Sequence, residues 1–281
     1  MDRAFADRKT EEAVRAGIRA LATVEDCSAA WPVRPIGNAW SRKYYDGDFH
    51  LFEPPPPPPS RPAVSLVFVH TKDGNTGADN PGDLGGGPTD LHLIYEGLSR
   101  VAANGVLAGA STVGRTVFFT VWHPELVSLR RELGLPRHPA QIVVSNDGRI
   151  DLDSMVFNEP EVPVFMLAGA GCRTKHAAEF LRRPWVTVVP TDASGLGGAL
   201  ARLRADHGIE RVSAVGGRTI ATALIDQWLV QDLYLTTSAI DGGEPNTPFY
   251  CGKQPPKYAT IVRKTETGTD QPIKFEHLAL T

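Results

Sequence analysis

Three short segments of glycine and small polar residues follow apolar runs and are suited to binding a ligand. They are Gly109-Ala110-Ser111-Thr112, Ser145-Asn146-Asp147-Gly148 and Gly216-Gly217-Arg218-Thr219. Small residues let backbone N–H groups approach a phosphate, and the first turn of a following helix adds the positive end of its dipole. Each segment alone is also typical of an ordinary tight turn, and none has the GxGxxG or P-loop spacing. Two such turns in one α/β domain favour nucleotide binding.

Other active-site patterns are missing from the sequence. It contains no GxSxG, HExxH or CxxC, which are typical of hydrolases, zinc peptidases and zinc sites. His176 and Glu179 have the wrong spacing for the HxE of a zinc deaminase. Cys27, Cys172 and Cys251 are widely separated, so we expect unpaired thiols in a reducing compartment and no bound metal.

The net charge and the length of the apolar runs exclude two classes of binding partner. The chain has 281 residues and a formal net charge of -3. A near-neutral chain lacks the basic surface that nucleic acid binding requires. Its apolar runs are far shorter than the roughly 20 residues of a membrane helix. We therefore expect a cytoplasmic protein that acts on a small molecule and binds neither nucleic acid nor membranes.

Apolar β-branched runs alternate with amphipathic segments after residue 60. We predict strands at 64–69, 105–108, 141–145, 164–168, 186–189, 212–215 and 233–237, and helices at 90–103, 196–207 and 219–228. Residues 259–263 and 273–278 predict a closing hairpin. This pattern indicates an α/β fold with a mostly parallel sheet, flanking helices and an antiparallel edge. Ligands bind such sheets at the carboxyl ends of the strands, where the three segments lie.

Residues 1–60 have a different character and form a predicted N-terminal extension. Thr10 is a possible N-cap of a helix whose apolar face includes Leu21 and Val24. An irregular aromatic arm follows, and we expect its rings to pack on the main domain or on a partner subunit. The six prolines 54–59 predict a stiff extended spacer, or else a ligand for a proline-binding groove. We place a domain boundary near Ser60, with the main α/β domain over 61–281.

Five motifs in order resemble the reductase domain of the riboflavin-biosynthesis deaminase-reductase, a pyrimidine reductase family with a dihydrofolate-reductase-like fold. Thr71-Lys72-Asp73-Gly74 is similar to the family's Ser-x-Asp-Gly turn, and 104–113 to its Asp-Ala-Ile-Leu-Val-Gly-Ala-Gly-Thr-Val. Residues 139–145 are similar to Pro-x-x-Val-Val-x-Ser, and 215–220 to Glu-Gly-Gly-x-x-Leu. Asp241-Gly242-Gly243 matches the closing glycine pair. The resemblance covers about residues 62–281.

The resemblance implies an NADPH-dependent oxidoreductase that transfers hydride to the ring-opened ribosylamino group of a pyrimidine, and a homodimer. It implies that the cofactor is bound by Gly109, Ala110, Ser111, Thr112, Ser145, Gly216, Gly217, Arg218 and Thr219. Thr71 and Asp73 would lie near the nicotinamide and the reacting carbon. Arg100 would hold the substrate's ribose phosphate, and Val215 would lie at the polar edge of the pyrimidine.

Departures from the family pattern fall mainly on the substrate side. Val215 replaces the glutamate before the glycine pair, Asn104 replaces an aspartate, and 114–119 is apolar where the family has Asp-Asp-Pro. We expect a substrate that is less polar at the Val215 edge, or no turnover. Two alternatives stay open. One is a pterin reductase of the dihydrofolate type, although the carboxylate-bearing first helix of those enzymes is not evident here. The other is a nucleotide-binding module without catalysis.

Overall fold

The computed structural model describes residues 2–53, 60–78, 81–191 and 194–281. Its strands are β1 Leu21–Asp26, β2 Val33–Ile36, β3 Phe49–Phe52, β4 Ala63–His70, β5 Gly105–Gly109, β6 Ala140–Ser145, β7 Val164–Ala168, β8 Val186–Pro190, β9 Arg211–Ala214, β10 Asp232–Thr237, β11 Tyr258–Glu266 and β12 Lys274–Leu280. Its helices are α1 Arg3–Arg15, α2 Ala39–Tyr45, α3 Gly87–Thr89, α4 Pro124–Glu132, α5 Ala170–Leu181, α6 Gly195–His207 and α7 Arg218–Asp226. A π-helix, Asp90–Leu98, continues α3 directly.

Ten strands form one sheet in the order β1-β11-β12-β10-β4-β9-β5-β6-β7-β8. The seven strands that follow one another from β10 to β8 in this order run parallel to each other. The pairs β10–β12, β12–β11 and β11–β1 are antiparallel. Residues alternate between the two faces, so Leu66 and Val67 belong to different apolar clusters. The predicted α/β class, with a mostly parallel sheet and an antiparallel closing hairpin, is confirmed.

The N-terminal helix is shorter than predicted. Asp2 caps α1 by accepting a hydrogen bond from the Ala4 N–H, and the helix ends at Arg15. Thr10 lies within the helix, where its hydroxyl donates to the Ala6 carbonyl. Leu21 begins β1, opposite Glu266 of β11. The prediction of one helix through Val24 is therefore wrong, because pairing with a distant strand overrides the local apolar spacing.

The aromatic arm packs on the main domain, as expected. Trp31 donates its indole N–H to the Thr260 carbonyl at 3.1 Å, and Trp40 stacks on His123 with ring centroids 4.2 Å apart. Tyr45 lies in the larger apolar cluster. The arm also contains the pair β2–β3 and the helix α2, neither of which its irregular sequence predicts. Residues 54–59 lie outside the described residues, so the proline spacer and the boundary near Ser60 stay predictions.

Three connections between parallel strands differ from the sequence-based prediction. Ser145 is followed not by a helix but by a long connection to β7 that contains only the short 3-10 helix Met155–Phe157. The helices α4 and α5 were not predicted, and they follow β5 and β7 respectively. No helix within the described parts of the chain is long and apolar enough to cross a membrane.

Candidate active site

The first and third glycine-rich turns meet because β5 and β9 are neighbours in the sheet. A Cβ built on Gly217 would lie 3.5 Å from the Thr112 Oγ1, and one on Gly216 would lie 3.7 Å from the Thr112 Cγ2. Gly216 has φ +134° and Gly217 has φ +83°, which L side chains rarely adopt. Gly217 then caps α7, whose first N–H groups face the turn. The structure thus brings the two predicted phosphate turns together.

A cavity of 540 Å³ opens at these turns, and its volume is that of a small-molecule site. Its lining residues are Ser111, Gly217, Arg218, Thr219, Ile220, Thr222 and Cys251. Four of these were predicted as cofactor-binding residues. The segment around Cys251 was not, because it joins the cavity from a distant loop through a hydrogen bond from its N–H to the Thr222 Oγ1. No spacing in the sequence links Cys251 to α7.

Ser145 lies on the same edge of the sheet, at the end of β6 beside β5. It is buried, and its hydroxyl accepts a hydrogen bond from the Gly148 N–H at 3.1 Å. This contact orders the turn after β6. The predicted contact of Ser145 with the adenosine 2′-phosphate stays a prediction.

Thr71 and Asp73 form a hydrogen-bonded turn after β4. Thr71 Oγ1 donates to Asp73 Oδ1 at 2.5 Å, and Asn75 Nδ2 donates to Asp73 Oδ2 at 2.9 Å. The Gly242 carbonyl, from the loop after β10, accepts from both donors at 3.1 Å. The hydrogen bond from Thr71 is the main reason that the pKa of Asp73 is lowered. Asp73 therefore stays ionised near neutral pH and suits a role in ordering the turn rather than in donating a proton.

Asp90 is a buried carboxyl at this edge that the sequence interpretation missed. It begins the π-helix, is 9% exposed, and its Oδ1 has no hydrogen-bond partner; the buried Ser238 hydroxyl after β10 also lacks one. The neighbouring loop approaches so closely that a Cβ on Gly86 would lie 2.9 Å from the carboxyl of Asp90. Burial raises the pKa of Asp90 to about 6, and the Thr236 hydroxyl offsets part of that rise. In the sequence, an aspartate at a helix start looks like an ordinary capping residue.

Asp90→Asn is expected to stabilise the protein at high pH. The pKa of Asp90 is raised from 3.8 to about 6, so the folded state binds the proton more tightly than the unfolded chain. Stability from this group is present below pH 4 and is lost as the pH rises through 6. The variant should gain about 2–3 kcal/mol over the parent at pH 8 and almost nothing at pH 4. Urea unfolding at both pH values measures this.

Asp73→Asn is the matched control for that prediction. The Thr71 hydrogen bond lowers the pKa of Asp73 below 3.8, so the stability from this carboxylate is present at pH 4 and above and is lost only at lower pH. Removing the charge should therefore destabilise the protein by a similar amount at pH 8 and pH 4, with no gain at pH 8. Equal changes for Asp90→Asn at both pH values would contradict the assignment of a raised pKa to Asp90.

Arg100 lies away from the position that the resemblance implies, whereas Val215 lies at the implied edge of the sheet. Arg100 lies just before Asn104, whose backbone bonds to the first residues of β9 and β6, so it is at the amino-terminal edge of the sheet. Its guanidinium donates to the Thr120 carbonyl and stacks on Tyr95. The structure thus separates Arg100 from the turn at Thr71. Val215 is at the correct edge but only 7% exposed, with its side chain in the apolar core.

Fold and site together define an α/β protein of the pyrimidine-reductase fold, with glycine turns around a cavity at the carboxyl edge of its sheet. The chain belongs to the RibD C-terminal domain family, whose model matches residues 62–272. The suspected resemblance is confirmed. No curated protein matches the sequence.

Solved structures share this fold at low sequence identity. A pyrimidine reductase-like protein from Corynebacterium diphtheriae is 18% identical, with a TM-score of 0.64 over 78% of this chain and 92% of that chain. RibD from Acinetobacter baumannii is 17% identical, with a TM-score of 0.59 over 79% of this chain and 58% of that chain. The riboflavin biosynthesis reductase Rib7 of Saccharomyces cerevisiae is 14% identical, with a TM-score of 0.54 over 78% and 91%.

Proposed function

We propose that the chain is a cytoplasmic, homodimeric, NADPH-dependent reductase of a pyrimidine or related heterocycle, of the riboflavin-pathway type. The observation that carries this proposal is the meeting of Thr112 with Gly216 and Gly217, because the neighbouring Ser111 and Gly217 itself line one cavity. Membership of the RibD C-terminal domain family supports a reductase. One structural neighbour is described as a riboflavin biosynthesis reductase and another as pyrimidine reductase-like.

The residues at the cavity fit a dinucleotide. Gly216 and Gly217 have no side chains, so a pyrophosphate can approach their backbone and the N–H groups at the start of α7. Arg218 adds a cation at the cavity wall. Bound NADPH would supply the hydride, and the protein would orient the reactants and exclude water. The hydrogen-bonded turn at Thr71 and Asp73 would close the neighbouring part of the site, at the ends of β4 and β10.

Cys251 provides a direct test of where the cofactor binds. This thiol is exposed and lines the cavity beside Arg218 and Thr219, so a maleimide should label it in the free protein. Saturating NADPH should slow that labelling about tenfold or more, because the cofactor would cover the thiol. Peptide mass spectrometry measures both rates.

Cys27 is the internal control for the labelling experiment. It is half-buried in the N-terminal arm, where its thiol donates to Glu25, and it does not line the cavity. NADPH should leave its labelling rate unchanged. Equal protection of both thiols would indicate a global change, and no protection of Cys251 would place the cofactor elsewhere.

Val215 leads to a prediction about the substrate. A valine cannot accept hydrogen bonds from a polar pyrimidine edge, and unpaired donors cost about 1–3 kcal/mol when buried. Because the Val215 side chain packs in the larger apolar cluster, it presents no hydrogen-bond acceptor at this edge, and we expect the riboflavin-pathway pyrimidine to be reduced slowly. The longer side chain of Val215→Glu would have to extend out of that cluster to reach the substrate, and if the variant keeps the parent's unfolding midpoint it should raise kcat/KM about ten- to a hundredfold. Val215→Gln separates hydrogen bonding from charge. Fast reduction by the parent, with no gain in Val215→Glu, would support the unmodified family substrate instead.

A pterin reductase of the dihydrofolate type is the second candidate function. The sequence shows no evident carboxylate on the first helix of the domain, but the structure buries Asp90 at the start of the π-helix. The loss of nicotinamide absorbance with pyrimidine and pterin acceptors compares the two candidates. Reduction of a pterin that Asp90→Asn abolishes would favour the second candidate. NADPH binding without oxidation by any acceptor would favour a non-catalytic module.

A further inference from the structure

A second cavity, of 340 Å³, lies against the outer flank of the π-helix, and the proposed reaction does not use it. Helix α1 of the N-terminal arm forms one side of its mouth with Lys9 and Glu12, and Leu91 is on the π-helix side. Its remaining lining residues are His92, Tyr95, Glu96, Arg100, Thr116, Val117, Phe118, Phe119 and Trp122. The arm thus contributes two residues to a cavity that is otherwise lined by residues of the family domain.

In this cavity, two nitrogens of the Arg100 guanidinium lack a hydrogen-bond partner within the described residues. Arg100 is 2% exposed, and only its Nη1 has a hydrogen bond, to the Thr120 carbonyl at 2.7 Å. Its Nε and Nη2 are buried without a partner in the described structure. These two nitrogens form one edge of the guanidinium, the edge that binds a carboxylate through two parallel hydrogen bonds. An unpaired cationic edge is costly to bury, so an anion here would be favourable.

Glu96, another residue that lines this cavity, has other hydrogen-bond partners than Arg100. Glu96 precedes it by four residues, yet its Oε2 accepts hydrogen bonds from the Trp122 N–H at 3.2 Å and lies 3.3 Å from His92 Nδ1. Glu96 therefore lines the cavity as a carboxyl group whose hydrogen-bond partners lie outside Arg100. The free edge of Arg100 offers two parallel N–H groups, which match the two oxygens of one carboxylate, and the nearby Glu96 disfavours a second negative charge on the ligand.

The aromatic residues that line the cavity indicate the shape and polarity of the rest of the ligand. The guanidinium of Arg100 lies 4.2 Å from the centre of the Tyr95 ring and 5.7 Å from that of Phe119. Phe118 and Trp122 are buried in the same wall. Aromatic walls of this kind bind flat apolar groups. A ligand that matches both features has an aromatic body and one carboxylate.

We propose that this cavity is a second binding site, for an aromatic monocarboxylate whose carboxylate binds Nε and Nη2 of Arg100. The proposal goes beyond the proposed reductase activity and does not depend on it. The N-terminal arm is part of the site because Lys9 and Glu12 border its mouth.

Three probes with the same naphthalene body test the proposal by calorimetry. We expect 2-naphthoate to bind at least tenfold more tightly than the neutral 2-naphthamide and the dianionic 2-naphthyl phosphate. Arg100→Lys keeps the positive charge but removes the paired N–H groups of Nε and Nη2, so it should weaken the binding of 2-naphthoate at least tenfold. Equal affinity for the acid and the amide, or tighter binding of the phosphate, would overturn the proposal.

Leu91→Trp keeps the test decisive if Arg100→Lys folds poorly. Leu91 is 44% exposed at the mouth, so a larger side chain there fills the entrance without disturbing the core. The variant should bind 2-naphthoate at least tenfold more weakly, with an unchanged unfolding midpoint and unchanged NADPH affinity. Unchanged 2-naphthoate binding in Leu91→Trp would place that ligand elsewhere and overturn the proposal.

Discussion

Gly216→Asp is expected to weaken NADPH binding about a hundredfold or more. The backbone of Gly216 has φ +134°, a conformation that is strained for a residue with a side chain. The new carboxylate would also face the phosphates of the cofactor. Juxtaposed like charges cost several kcal/mol at an interface, and each 1.4 kcal/mol is about a tenfold loss of affinity. Titration of NADPH fluorescence measures the change.

Gly134→Asp is the matched control for strain. Gly134 follows α4 with φ +71°, and a Cβ there would have nothing within 4 Å. This variant should lose some stability through its backbone but bind NADPH like the parent. If Gly216→Asp binds NADPH like the parent, the dinucleotide site is placed wrongly.

Arg130→Met is expected to lower the free energy of unfolding by about 3–5 kcal/mol. Arg130 is 1% exposed, and its Nη1 donates to the carbonyls of Arg100, Val101 and Ala103, beyond the end of the π-helix. Its Nε and Nη2 donate to the Pro136 carbonyl. Burial lowers its pKa to about 10, so it remains charged at neutral pH. Methionine fills similar apolar volume but leaves these buried carbonyls unpaired.

The adjacent Arg131 provides the comparison. It is exposed, and its guanidinium donates to Ser128 Oγ on the surface of α4. Arg131→Met should change the unfolding free energy by less than about 0.5 kcal/mol. Urea unfolding of both variants at pH 7 measures the difference. Similar losses in the two variants would mean that Arg130 does not anchor the segment after the π-helix.

Elements that depend on local spacing were predicted well. The parallel strands, α6 with its stop at Gly208, and the closing hairpin all appear close to their predicted positions. The crossover helices α4 and α5 were missed, because their apolar residues are few and irregular. The predicted helix at 90–103 ends near Leu98 and is a π-helix. Its last turns are replaced by a segment whose carbonyls bond to Arg130, a contact no local pattern contains.

The sequence by itself determined the α/β class, the glycine turns at 109–112 and 216–219, and the resemblance to the RibD C-terminal domain family. These features depend on residue size and on repeats of two to four positions, which are local properties of the chain. Only the tertiary structure decided that Asp90 is buried at the carboxyl edge of the sheet, that Arg100 lies at the opposite edge, and that β1 completes the sheet. Burial of a charge and the edge it reaches depend on packing between segments far apart in sequence. A single sequence does not specify that packing locally.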